Sequence, residues 1–148
     1  MSSKAEVTGR IAGLMQLVIA SSVMTNERIA RSLGLNVVDF QAFGYIARNG
    51  APMTAGEVSQ QTELPTSTTT RVLDRLEQRG FIERTTDPND RRRVVVRARP
   101  DVMAGAGEGG EDDPYRGILD GMNRVHEQFT VAELEVVARY LEAVKDVR

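Results

Sequence analysis

Residues 66–99 constrain this chain more than any other stretch. They hold, in order, a run of hydroxyl side chains, an amphipathic helical pattern, a glycine stop and two β-rich runs around a tight turn. In TSTTTRVLDRLEQRG, helical spacing puts Val72, Leu73 and Leu76 on one face and leaves Ser67, Thr68, Arg71 and Arg75 elsewhere. Gly80 suits a C-terminal cap. Residues 81–86 and 93–98 are β-rich and flank DPNDR, where Pro88, Asn89 and Asp90 supply a turn. A β-hairpin with an arginine-loaded tip follows from that pattern.

The charge is distributed unevenly. The whole chain of 148 residues carries 19 Lys plus Arg against 21 Asp plus Glu, a formal net charge of -2. Residues 1–65 are neutral, residues 66–99 carry +4 and residues 100–148 carry -6. Every basic group of the middle segment is arginine, which suits bidentate phosphate and base contacts better than lysine. A basic middle and an acidic tail imply different partners. The hydroxyl run at 66–70 lowers helix propensity, a cost that makes sense where exposed hydroxyls at a helix start meet phosphates and base edges.

Around that segment the chain reads as helices. Apolar residues at Val7, Ile11, Leu14 and Val18 begin a stripe that runs to about Ser32, and residues 11–24 read as part of a buried helix too short and too polar to span a bilayer. Asn36 with Asp39 predicts a capped helix that buries Val37, Phe40, Phe43, Tyr45 and Ile46. Asn49, Gly50 and Pro52 stop it. Thr54 with Glu57 is a capping box that opens a short helix to about Gln61, with Ala55 and Val58 inward. Residues 104–114 hold glycines and acids in place of periodicity, which predicts a flexible acidic loop. A helix then resumes near Tyr115 with Ile118, Met122, Val125 and Phe129 as its stripe. A second capping box, Thr130 with Glu133, opens the last one, with Val131, Leu134, Val137, Ala138, Leu141 and Val144 inward.

Several functions are disfavoured by composition. No cysteine is present, which excludes disulfide scaffolds, thiol redox switches and Cys zinc sites. One histidine, His126, cannot build a histidine cage, and in its apolar turn it reads as a packed or surface residue without a role. Methionines such as Met15, Met24 and Met122 could line an adaptable pocket, with core filling the commoner use. Glu111, Asp112 and Asp113 lack the ligand spacing of a calcium loop. No nucleotide-binding, nucleophile-elbow or zinc-protease motif occurs, so the expectation is a protein that is not an enzyme and needs no cofactor or metal.

A short helix, a tight turn, a polar-fronted helix and a basic hairpin follow the order of a winged helix-turn-helix. The segment STTTRVLDRLEQRGFIERTTDPNDRR, residues 67–92, resembles the recognition helix, strand and D-P-x-D-R-R wing turn of the multiple antibiotic resistance regulator (MarR) family. LGLNVVDFQAFGYI resembles the helix that precedes them, and the likeness covers roughly residues 7–100.

That resemblance implies a mostly α protein with a small β-hairpin, a single MarR-like domain over 1–148. Its parts would be dimerisation helices at 7–32 and 115–148, a DNA-binding lobe at 36–99 and the loop at 104–114, which interrupts a helix that runs unbroken in the family. The implied protein is a cytoplasmic, homodimeric transcriptional regulator without a membrane partner. It would act as a repressor on double-stranded DNA with a pseudo-palindromic operator and be released by a small aromatic or anionic ligand, whose site is not assigned. By position, Arg92 would enter the minor groove and Asp90 would fix the wing, with Arg91 and Arg93 on phosphates. Narrow A/T-rich minor grooves favour an inserted guanidinium on physical grounds as well. On the recognition helix, Ser67, Thr68, Thr70 and Arg71 are the DNA-binding candidates, Arg71 reaching either a guanine or a phosphate. Arg75 and Arg79 read at least as well as surface ion pairs with Asp74, Glu77 or Glu83. The alternative from another class is a winged-helix protein-interaction module that uses its wing or acidic tail on a protein.

Overall fold

The computed structural model describes residues 1–102 and 116–147. It divides into two compact units, Met1–Ala104 and Gly105–Arg148. The predicted loop at 104–114 lies outside the described residues.

In the first unit, α1 (Lys4–Ser32) starts at a capping box in which the Ser3 N–H donates to Glu6 at 2.8 Å and the Glu6 N–H donates to Ser3 Oγ at 3.2 Å. It ends where Gly34, at φ 69°, lets the Leu35 N–H turn back onto Ala30 O at 2.8 Å. The expectation that residues 11–24 are buried is corrected here. Only Ile29 and Ala30 of α1 are buried, because only its last part packs on α2, while Leu14, Leu17, Val18, Ile19, Val23 and Met24 are exposed. The helix does run to Ser32, as its stripe predicted. Its 29 residues include an 18-residue window of mean hydropathy 1.4, so by length and composition alone α1 could cross a membrane.

Helix α2 (Val37–Asn49) is capped as predicted, the Asp39 N–H donating to Asn36 Oδ1 at 2.8 Å. Its buried face is Asp39, Phe40, Ala42, Phe43 and Ile46. Val37 and Tyr45 fall outside that arc and are exposed, contrary to expectation, and Tyr45 carries the Arg48 guanidinium over its ring at 5.6 Å. A two-residue strand, β1 (Met53–Thr54), leads into α3 (Ala55–Thr62), whose capping box is Thr54 with Glu57. Val58 is buried, whereas Ala55 is half-buried.

Helix α4 (Thr66–Gln78) buries Thr69, Val72, Leu73 and Leu76 and packs on α2 and α3. It stops at Gly80, φ 78°, where the Phe81 N–H donates to Leu76 O at 2.9 Å and the Phe81 ring meets Phe43 edge-on at 5.3 Å. Strands β2 (Ile82–Thr86) and β3 (Val94–Ala98) pair antiparallel from Ile82 opposite Ala98 to Thr86 opposite Val94. Strand β1 adds to the other edge of β3, giving a three-stranded sheet in the order β1-β3-β2 where the sequence predicted only the hairpin.

The second unit holds α5 (Arg116–His126) and α6 (Val131–Val144), the latter opened by the Thr130 and Glu133 capping box. Neither helix has a buried residue. The apolar stripes predicted there exist, but Met122, Val125, Phe129, Val131, Val137 and Leu141 face solvent, and Ile118, Leu134 and Val144 are only half-buried. Met24 and Met122 are therefore not core fillers, while Met53 is buried.

Candidate nucleic-acid interface

The first turn of α4 is open. Its N-cap is Pro65, which provides no side-chain acceptor, and so the leading backbone N–H groups point outward without a side-chain cap. Helical spacing puts Ser67, Thr70, Arg71 and Asp74 on one side, and all four are exposed. Thr68 is half-buried and stands apart from them. The hydroxyl run is not a continuous exposed row, because Thr69 belongs to the core. Its hydroxyl donates to Pro65 O at 3.1 Å, and that of Thr70 donates to Thr66 O at 3.0 Å, so two costly hydroxyls are satisfied by the helix itself.

At the tip of the β2-β3 hairpin, two aspartates build the turn. Asp87 accepts the Asn89 N–H at 2.8 Å and Asp90 accepts the Arg92 N–H at 3.0 Å, while the Arg93 N–H reaches Asp90 O at 2.9 Å. The Arg92 side chain is 94% exposed. Arg91 is exposed too, and among the described residues neither it nor Arg71 makes a hydrogen bond or ion pair. Arg93 differs from its neighbours: its guanidinium lies 3.8 Å from Asp87 and 3.9 Å from Glu57 at the start of α3.

Most of the other arginines of this segment are occupied internally. Arg84 on β2 pairs with Asp74 at 2.7 Å and also with Glu77, tying the sheet to α4. Burial pulls its pKa down, but the bonds to the two carboxylates outweigh this and hold it above the ordinary value. Arg97 pairs with Glu83 at 2.5 Å and Arg99 with Asp101 at 3.1 Å. These pairs correct the expected partners of Arg75 and Arg79. Asp74, Glu77 and Glu83 are taken by strand arginines, and Arg75 reaches instead to Asp39 on α2, whose hydrogen bonds raise the Arg75 pKa. Arg79 donates to the carbonyl of Gly34. The sequence missed these links because their partners lie 36 and 45 residues away.

The unit thus brings together an open helix start with hydroxyls and the unpaired guanidinium of Arg71, and a turn that projects the exposed guanidiniums of Arg91 and Arg92. His126 is exposed at the end of α5, away from this unit's residues in sequence. Among the described residues, no group of three or more His, Asp or Glu could hold a metal ion.

Comparison with known proteins gives this geometry its setting. Residues 33–93, from the α1-α2 corner to the wing, match the MarR family. The chain is 30% identical over 146 residues to an uncharacterized HTH-type transcriptional regulator, YcgE, of Bacillus subtilis, covering 99% of this chain and 91% of the relative. Its fold is similar to the structure of a MarR family protein from Bacillus stearothermophilus, with a TM-score of 0.67, 22% identity and coverage of 97% and 96% of the two chains. It is also similar to an S. aureus MepR mutant bound to an oligodeoxyribonucleotide, with a TM-score of 0.58, 17% identity and coverage of 90% and 94%. Open helix start, braced wing and near full-length likeness agree: the chain belongs to the MarR family of winged helix-turn-helix transcriptional regulators and is not an enzyme.

Proposed function

We propose that this regulator is a homodimeric repressor that reads a pseudo-palindromic operator in double-stranded DNA. In this reading α4 enters the major groove, with Ser67, Thr68, Thr70 and Arg71 at base edges and phosphates, and the wing lies beside it. Arg92 inserts into the minor groove on a turn held by Asp90, and Arg91 and Arg93 grip the backbone. The observation that carries the reading is the presence, on one unit, of exposed guanidiniums at Arg71, Arg91 and Arg92 together with the uncapped start of α4. The DNA-bound MepR of similar fold supports it.

The dimer is supported by the uncovered apolar residues of α1, α5 and α6, which a second copy would bury. This second copy also accounts for the exposed apolar window of α1 without a bilayer. Release by a small aromatic or anionic ligand, and a cytoplasmic setting, enter the proposal through family membership alone.

The test is fluorescence anisotropy with duplexes tiled from the DNA upstream of the regulator's own gene, across a salt series, for wild type and Arg92→Ala. Selective binding is expected, with log affinity falling against log salt by about 0.9 per neutralised phosphate and weakening for Arg92→Ala. Weak, equal and Arg92-independent binding to every duplex would move the function to protein interaction.

A further inference from the structure

Helix α4 is tied to the α1-α2 corner by Arg75 and by its C-cap residue Arg79, four positions on. Arg75 donates through Nε to Asp39 Oδ2 at 2.8 Å and through Nη2 to Asp39 Oδ1 at 2.7 Å, and Asp39 is only 2% exposed. Arg79 donates through Nη1 to Gly34 O. Both anchor points are themselves fixed. The Asp39 N–H is held by Asn36, and Gly34 sits in the turn closed by the Leu35 to Ala30 hydrogen bond. A Cβ on Gly34 would stand 2.9 Å from Arg79 Nη1, so the glycine provides the room as well as the positive φ.

On its other sides α4 is held by the apolar contacts of Val72, Leu73 and Leu76 and, from β2, by Arg84 on Asp74 and Glu77. Apolar contact is non-directional and leaves a helix some freedom to roll about its axis. A planar guanidinium fork on a buried carboxylate fixes both distance and angle. The Arg75 fork, with the single Arg79 bond to the Gly34 carbonyl one turn later, restrains that roll at the α1-α2 corner. Asp39 cannot itself reach DNA, since it is buried.

We infer that Arg75 and Arg79 are positioning residues that set the roll of α4, so that sequence selectivity, rather than overall grip on DNA, depends on them and on Asp39 and Gly34. The inference rests on the DNA-reading function proposed above. It removes two cations from the count of phosphate contacts.

The experiment compares a duplex selected by wild type from a randomised library with a scrambled duplex of equal length, for wild type, Asp39→Asn, Arg75→Gln, the double variant and Arg79→Gln. The selected-to-scrambled affinity ratio is expected to fall about tenfold for Asp39→Asn and for Arg75→Gln. The double variant should be no worse than the worse single, with scrambled binding and the salt slope unchanged. Arg79→Gln, which leaves the core intact, should lower the same ratio. A salt slope smaller by about 0.9 for Arg75→Gln, with equal losses on both duplexes, would make Arg75 a phosphate contact and overturn the inference. So would a wild-type ratio for Asp39→Asn.

Hydrogen exchange without DNA separates the two proposals. Amides of residues 69–76 should exchange faster in Asp39→Asn than in wild type, and unchanged exchange sinks the clamp whatever the DNA result. A wild type that selects no duplex sinks the DNA reading and leaves the exchange measurement to decide the clamp.

Discussion

The Oδ1 atom of Asp90 accepts the backbone N–H of Arg92 at 3.0 Å while the Arg92 Nε stands 3.6 Å away from the same oxygen. The short contact fixes the chain and the long one barely holds the side chain. An exposed ion pair at that distance contributes little, so the guanidinium is free to leave. Arg92→Ala and Asp90→Ala should each weaken operator binding, by about 1–3 kcal/mol for the arginine, with thermal melting unchanged within about 0.5 kcal/mol. Asp90→Asn keeps an acceptor and should retain most of the binding. Anisotropy and differential scanning calorimetry check the set together.

Leu17, 68% exposed, and Leu141, 49% exposed, carry the assembly prediction. A charge at either site is already in water within one chain but would have to be desolvated between two. Leu17→Glu and Leu141→Glu should shift the protein from dimer to monomer in light scattering at micromolar concentration. A dimer that persists in both would place the interface elsewhere.

Gly34 and Gly50 form a matched pair. Both sit at positive φ, 69° and 72°, but a Cβ on Gly50 would meet nothing within 4 Å. Gly50→Ala should therefore cost only the backbone strain, about 1–2 kcal/mol. Gly34→Ala should cost more, since it also displaces Arg79, and urea unfolding should order the two in that way.

Glu57 and Glu133 have pKa values below the ordinary glutamate range, chiefly because each carboxylate accepts its N-cap backbone N–H, from Thr54 and Thr130, and then the cap hydroxyl. A lowered folded pKa stabilises the fold fully above the unfolded value, about 4.3, and that contribution is lost as pH falls through the folded value. The gap in melting temperature between wild type and Glu57→Gln should be constant from neutral pH to about 5 and shrink in more acid buffer. A gap independent of pH would remove the charge from the cap.

What could be read from the sequence alone was set by the range of each interaction. The caps at Asn36, Thr54 and Thr130 and the stop at Gly80 depend on neighbours within a few residues, and each stands where its pattern put it. The hairpin register follows from its own turn. By contrast β1 exists only because Met53 and Thr54 meet Val96 and Val95, and a two-residue strand has no period to read. The exposed face of α4 was legible for Ser67, Thr70 and Arg71, while Thr69 was hidden among identical neighbours until packing on the core selected it. Periodicity marked which side of α1 is apolar, but not whether its own chain covers it.

Between residues 66 and 99 the basic groups are all arginine, and the lysines of the chain are Lys4 and Lys145. A guanidinium is not an amine and is not a substrate for lysine acetylation. The three exposed guanidiniums of the reading surface therefore offer amine chemistry nothing to attack. Amine-directed dyes or surface tethers would attach at Lys4, Lys145 and the α-amino group and leave that surface unmodified. The protein can thus be labelled or immobilised through its lysines without altering the charges by which it would hold DNA.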